Sequence, residues 1–533
     1  MTGNIYDGSQ LWTYSICDGL IKRRFENETY DFYENMPESL YTSLVEAQKK
    51  WPDRYCIVDD MGISYTYSQF LDMVENFSRF LFHNYHVTSG MHIGILLYNS
   101  IEFCASIYAI NRLGAVAVPF STKYRQPEIN SLIQKADLNG LIFDKDYVEW
   151  FPIEDGECFL LCLRQNVLDI FLSGSLLPGI PKEEIKAEHP AVLMFTSGTT
   201  SRSKGVLMAN FNIMHAIAVY QKIFHITEYD KTVLPVPAYH VTGLIAVMGL
   251  FIHAGGCIWL HKFFNAVRVL REMKENYLTF FHASPTVFSL LLEHKEEFPI
   301  IPDMRIFACG SSNMPKAKIK KIKEWMPQSE FRTVYGLTET TSPATIFPES
   351  AAESCHLGSS GRPVPGMQFM ICDEMGNLLQ PHETGTVMVK GTTVTIGYYK
   401  LGNMLEDGWL DTGDLGYFDE DGYLYLVDRK KDMINRGGEK VCSFDVENVL
   451  YGISGIKEAA VVGIPDERYG EVPAAMVVAD ENSDLTAETI RDYLKTRLAG
   501  FQIPVKFLFS HSLPMTPNMK VDKKRIRELL AQN

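Results

Sequence analysis

The chain of 533 residues lacks several features that would each impose a reading. It has no excess of positive charge. Asp and Glu number 65 against 50 Lys and Arg, for a net charge of −15. A nucleic-acid partner calls for a basic face, so none is expected. It also lacks an unbroken apolar run of membrane-spanning length. The longest candidate, Leu244 to Leu260, carries His253, Gly255 and Gly256 and reads as a core helix, a turn and a strand. No integral membrane segment is expected. Cys158 and Cys162 have no second pair at metal-ligand spacing, so a zinc site is not expected, and the ten cysteines read as reduced thiols. The chain does not open on a basic segment followed by an apolar one, so a cytoplasmic location is expected.

What is present is ordinary globular material, 46% hydrophobic and 22% charged, in a chain too long for one core. MHIGILLY (91–98) reads as a strand, Ile101 to Leu113 has helical apolar spacing, Gly114 ends it, and AVAVPF reads as a second strand. Strand–helix–strand units of this kind make parallel sheets. The pattern returns around AVLMF, TVLPV, CIWLH, LTFFHAS and MRIFACG, with helices at Ala266–Glu275 and Pro315–Trp325. An α/β body with more than one sheet is expected. After about residue 350 short strands with turn signals take over, as in GTVMVKG and GWLDTGDLGYFDEDGYLYLVD. The run DRKKD (428–432) marks the expected boundary, which divides the chain into 1–428 and a compact unit, 429–533.

Candidate chemistry starts in MFTSGTTSRSKGV (194–206). Hydroxyl side chains, flexible backbone at Gly198 and Gly205, and Lys204 are the parts of a phosphate cradle, although the spacing is not that of a P-loop. A polar loop between a strand and a helix is the alternative. VYGLTETT (334–341) brings together Tyr335, which could stack on a purine, Thr338, which could bond a phosphate, and Glu339, a hard oxygen ligand for Mg²⁺. The alternative is that Thr338 caps a helix. In GWLDTGDLG (408–416), Asp414 could hold a diol or simply form a turn. DRKKDMINRGGEKV (428–441) suits a linker with an anion-binding turn, and LPMTPNMKVDKKRIREL (513–529) places Lys520 before a basic helix. Each could equally be solvated surface.

In this order the segments resemble the superfamily of acyl- and aryl-CoA synthetases, adenylation domains and firefly-type luciferases, specifically its acyl-CoA ligase branch. The resemblance runs from about residue 40 to the end. It implies a large N-terminal domain of stacked α/β sheets with a small β-barrel-like subdomain, followed by a small mobile α+β C-terminal lid. It implies ATP, Mg²⁺ and CoA as cofactors and a carboxylic acid as substrate, converted first to an acyl-adenylate and then to a thioester.

Carried onto this sequence, the resemblance gives the β- and γ-phosphates to Thr196, Ser197, Gly198, Thr199, Thr200 and Lys204. It assigns adenine to Gly310, Ser311 and Ser312, with Tyr335 stacking and Thr333 and Gly336 in the same nucleotide site. The α-phosphate goes to Thr338, Mg²⁺ to Glu339 and the ribose to Asp414 and Arg429. Lys520 matches the lysine that stabilises the adenylation transition state, Lys431 the hinge, and Gly437, Gly438 and Glu439 the lid loop along the pantetheine arm. His240, in PAYHVTG, matches the wall of the acyl pocket, and Lys262 is a candidate for a CoA phosphate.

The sequence departs from the family pattern at Met519, where glycine is usual, at Asn435, and in VCSFDVEN (441–448). LVDRKKDMINRGGEKVCS and TSGTTSRSKGV look closest to carnitine/crotonobetaine-CoA ligases and to medium-chain or aryl acyl-CoA ligases. A stand-alone adenylation enzyme that loads a carrier protein, or a non-catalytic nucleotide-binding relative, are the alternatives. A homodimer is one arrangement left open.

Overall fold

The computed structural model describes residues 4–25, 28–151, 158–163, 173–181, 184–196, 203–402, 405, 407–480, 483–516 and 520–532. Ser197, Gly198, Thr199, Thr200 and Met519 lie outside these described residues.

Two large sheets form the body. Among the described residues one has nine strands, with Glu330–Tyr335, Ile306–Cys309, Phe280–Ala283, Lys231–Leu234, Cys257–Leu260 and Tyr55–Val58 as parallel neighbours in that order. The other has seven, with Pro190–Phe195, Val116–Pro119, His92–Leu96, Gly140–Asp144 and Phe159–Leu163 as parallel neighbours. These strands read as near-continuous apolar runs because both faces are covered. Helices Leu40–Lys50, Tyr67–Tyr85, Ile101–Arg112 and Asn210–Phe224 and the Thr242–Ala254 segment contribute to one hydrophobic cluster that also takes side chains from both sheets. The expected stack of α/β sheets is what the chain forms. Leu244 to Leu260 is likewise helix, then Gly255 in the left-handed conformation, then strand.

A five-stranded antiparallel sheet stands where the resemblance implies a barrel-like subdomain. Its strands are Tyr6–Asp7, Met367–Cys372, Gly385–Gly391, Leu410–Phe418 and Leu424–Arg429. DEDGY turns the last two, and Asp419 accepts the Asp421 and Tyr423 amides. The chain leaves this sheet at Arg429 and enters a mixed C-terminal sheet at Ile434. Strands Ile456–Asp466 and Gly470–Ala479 dominate that sheet, and helices Ser443–Leu450, Ala487–Lys495 and Lys523–Gln532 cover it. Asp428 links the two units, because its buried carboxylate accepts both the amide and the hydroxyl of Ser443 at a helix start, at 2.6 and 2.8 Å.

The strands on either side of the Lys204 segment bear on the alternative of a polar loop between a strand and a helix. Strand Pro190–Phe195 pairs antiparallel with Gly205–Ala209, so the loop joins two strands and not a strand and a helix. Its base is pinned where Thr196 N–H donates to the Lys204 carbonyl at 3.0 Å and Ser203 Oγ donates to the Thr196 carbonyl at 2.6 Å.

Candidate active site

Ligands of open α/β sheets bind beyond the carboxyl ends of parallel strands, and the main cavity, of about 490 Å³, lies there. From the nine-stranded sheet, His240 follows Lys231–Leu234, Gly310 and Ser311 follow Ile306–Cys309, and Gly336 to Glu339 follow Glu330–Tyr335. The seven-stranded sheet adds Phe120 and Ser121 after one strand and Thr196 after another. The antiparallel sheet adds Thr412 and Arg429, the turn after it adds Lys431, and the C-terminal unit adds Lys520. Strands from three sheets and one side chain from the small unit therefore meet around one space.

Positive charge gathers on one side. Lys204, Arg429, Lys431 and Lys520 all line the cavity. Burial lowers the Lys520 amine to about 8, with the nearby Arg429 pushing the same way and Asp414 and Glu339 opposing. A lysine held this close to other cations awaits an anion. The Glu339 carboxylate accepts from the Tyr398 hydroxyl at 3.1 Å, and Lys204 Nζ lies 4.5 Å above the Tyr398 ring, so one aromatic ring spaces cation from anion. Thr338 to Thr340 is a single tight turn with no side-chain cap, so Thr338 is not a helix cap but faces the cavity.

Asp414 is almost fully buried and its pKa is raised by that burial, against the charge of Arg429. One oxygen accepts from the Tyr335 hydroxyl at 2.7 Å and the other faces Arg429 Nε at 3.2 Å. Tyr335 and Arg429 together fix the carboxylate, so these three residues act as one support. A carboxylate has about four lone-pair sites, which leaves room for further donors.

Half-buried His240 also lines the cavity, near both Lys520 and His282. Burial lowers it to about 3, and Lys520 and His282 add to the shift, so it is neutral at physiological pH. Its Nδ1 is 3.3 Å from the Thr242 hydroxyl. His282 and Ser342, which the sequence pattern did not single out, line the same cavity. His282 ends an apolar strand and has the outward look of a core residue. The available signal was its place at the carboxyl end of a parallel strand, in register with Ala308 just before the Gly310 loop.

Other expected residues lie off this cavity. Ser312 is exposed, and Thr333 is buried with its hydroxyl donating to the Ser359 carbonyl at 3.0 Å. Gly437 and Gly438 form the exposed turn between Ile434–Arg436 and Glu439–Val441, at φ of 61° and 99°, which only glycine adopts without strain. Lys262 lines a second cavity of about 280 Å³ that shares Tyr239, His240, Thr242 and Ser311 with the first. Its amine lies 4.2 Å over the Tyr98 ring.

Residues 44–399 match the family described as AMP-binding enzyme, and residues 445–520 match the AMP-binding enzyme C-terminal domain. The chain belongs to the AMP-binding enzyme family. This AMP-binding enzyme is 28% identical over 509 residues to an oxalate–CoA ligase of Arabidopsis thaliana, covering 92% of this chain and 98% of that one. It is 31% identical over 457 residues to a long-chain-fatty-acid–CoA ligase of Mycobacterium tuberculosis, covering 83% and 88%. The solved o-succinylbenzoate CoA synthetase of Bacillus subtilis, in complex with its acyl-adenylate intermediate, aligns with a TM-score of 0.78 at 28% identity, covering 91% of this chain and 97% of that one. The AMP-binding enzyme is thus an adenylate-forming ligase of the acyl-CoA branch. The acids named for these relatives are unlike one another, so the likeness names a reaction class and not an acid.

Proposed function

We propose that this enzyme activates a carboxylic acid with ATP and passes it to CoA in two half-reactions served by one cavity and a moving C-terminal unit. The observation that carries the reading is Lys520, which comes from that unit yet lines the same cavity as Lys204, Thr338, Glu339 and Arg429. In the first half-reaction a carboxylate oxygen attacks the α-phosphorus and pyrophosphate leaves. Such transfer is governed by positioning and charge neutralisation. Lys204, with the hydroxyls of its loop, holds the leaving pyrophosphate. Thr338 and Lys520 face the phosphorus under attack. Asp414, anchored by Tyr335 and Arg429, presents its free lone pairs to the ribose, which leaves the ring of Tyr335 and the Gly310–Ser311 turn for the base.

Glu339 suits Mg²⁺ that arrives with the nucleotide, since that ion takes one or two carboxylates and otherwise phosphate and water, and when bound it neutralises phosphate charge. His240 stays neutral, so it walls the acid without pairing off the attacking carboxylate.

In the second half-reaction the thiol of CoA attacks the acyl carbon and AMP leaves. Lys520 has no part in that step. The C-terminal unit, 429–533, turns about Lys431 and brings Gly437, Gly438 and Glu439 to the pantetheine arm, a large rotation absorbed by a few residues at a border. The second cavity, with Lys262 at its wall, is the path for that arm. A cytoplasmic location and a homodimer belong to the same reading, the latter open to light scattering.

The test is pyrophosphate release from ATP across a set of carboxylic acids, with and without CoA. One turnover without CoA and continuous turnover with it supports the ligase. Continuous turnover only with a carrier protein supports the stand-alone adenylation enzyme. No acid-dependent release supports a nucleotide-binding relative that does not catalyse.

A further inference from the structure

The cavity wall at His282 and Ser342 is polar but carries no charge. His282 is 1% exposed and lines the cavity, and neither of its ring nitrogens has a protein partner. Buried polar groups are nearly always paired, so two orphaned nitrogens on a residue that lines a cavity need an explanation. Close packing places the ring there. A Cβ at position 310 would come within 3.3 Å of His282 Nε2, so Gly310 is what lets the imidazole reach the cavity edge. Burial alone keeps it neutral, as no charged group acts on it. A neutral imidazole has one donor and one acceptor to offer.

Close packing backs His282 and Ser342. The Tyr220 hydroxyl is bonded to the Ser342 hydroxyl at 3.0 Å, and the Tyr220 ring meets His282 edge-on at 6.0 Å. Behind them Phe224 and Phe280 are fully buried. An alkyl tail has no channel through this wall. A second carboxylate would have no cation to meet beside His282, since Lys204, Arg429, Lys431 and Lys520 serve the nucleotide and none of them acts on that ring. An unpaired buried charge is strongly disfavoured.

Resting on the ligase reading above, we propose that His282, with Ser342 beside it, selects a short carboxylic acid that carries a neutral hydrogen-bonding group, such as a hydroxyl or carbonyl, near its far end. His282 is in this account a specificity-determining residue that touches the acid and takes no part in the chemistry. A site built to bond such a group rejects the analogue that lacks it, because the buried partner is then left unpaired.

The test is kcat/KM for 4-oxopentanoate, 4-hydroxybutanoate, pentanoate, butanedioate and hexadecanoate, in the wild-type enzyme and in His282→Val and His282→Gln. We expect the oxo or hydroxy acid to exceed pentanoate by roughly 10-fold or more, with butanedioate and hexadecanoate poorest. His282→Val should lose that preference by slowing the polar acids while sparing or improving pentanoate, and His282→Gln should keep part of it. A wild-type preference for pentanoate, hexadecanoate or butanedioate overturns the inference while leaving the ligase standing. An equal loss for all acids in His282→Val also overturns it, since that marks a structural role. No acid-dependent pyrophosphate release with any acid overturns both readings. If His282→Val does not fold, the wild-type preferences decide.

Discussion

Lys204, Arg429, Lys431 and Lys520 give one part of the cavity lining its positive charge, whereas His282 and Ser342, backed by Tyr220, form a part without a charge. The first part meets phosphate oxygens, which need charge and little else. The second part has to distinguish one acid from another, and it does so by shape and by hydrogen bonds left open. His240 stays neutral, and the charge of nearby Lys520 helps to keep it so. A cavity built this way keeps its strong charges away from the group it must select, which a single mixed-charge pocket could not do.

The largest effect that would break this division is in the cationic part. Lys520→Ala should slow formation of the acyl-adenylate by about 10²–10³-fold, the usual cost of removing one preorganised donor to a developing charge. Single-turnover pyrophosphate release measures it. Lys204→Ala comes next. Losing one charge-assisted contact worth about 1.5–3 kcal/mol should weaken ATP use by roughly 10- to 100-fold and leave thioester formation from a ready-made adenylate nearly unchanged. Equal damage to both half-reactions would place Lys204 elsewhere than on the pyrophosphate.

A smaller effect concerns pH. With its pKa lowered to about 8, Lys520 loses its proton as pH rises through that value, so adenylation should fall above pH 8 while thioester formation should not share that limb. In the nucleotide-free enzyme the neutral amine is the form that burial favours. The arrangement with Lys520 in the cavity should therefore gain stability as pH rises from about 8 towards about 10.4, the value of a free lysine. Bound phosphate would oppose that shift. A flat adenylation profile from pH 7 to 9.5 would contradict the buried position. The smallest effect is at Tyr451, whose ring takes the Lys318 amine at 4.4 Å across the two units. Tyr451→Ala should change the balance of the two half-reactions by about 2- to 30-fold, the ~0.5–2 kcal/mol of a cation–π contact.

The two parts also differed in how well the sequence announced them. The cationic part was legible because its residues sit in short runs in which neighbours in sequence are neighbours in the cavity, such as Gly336 to Glu339, or Arg429 with Lys431. The sheets were legible for a related reason. Parallel strands covered on both faces leave continuous apolar runs, and AVLMF, CIWLH and MRIFACG each became a strand. The uncharged part was not legible. Tyr220 lies mid-helix, His282 at a strand end and Ser342 just past a turn, and only the packing of helix Asn210–Phe224 against the sheet brings them together. The alternative of a polar loop between a strand and a helix arose because Gly205–Ala209, the strand that pairs with Pro190–Phe195, is only five residues long and runs straight into a helix. The turn at Thr338 resembled a helix cap because the same residue types serve both.

The division of labour between Lys520 and the rest of the cavity is tested most directly by giving the Lys520→Ala enzyme a ready-made acyl-adenylate and CoA, and comparing thioester formation with its pyrophosphate release from ATP and acid. Thioester formation within a few-fold of wild type, beside adenylation reduced by about 10²–10³-fold, is the expected result. Equal loss in both half-reactions would contradict a C-terminal unit that brings its lysine in for one step and withdraws it for the next.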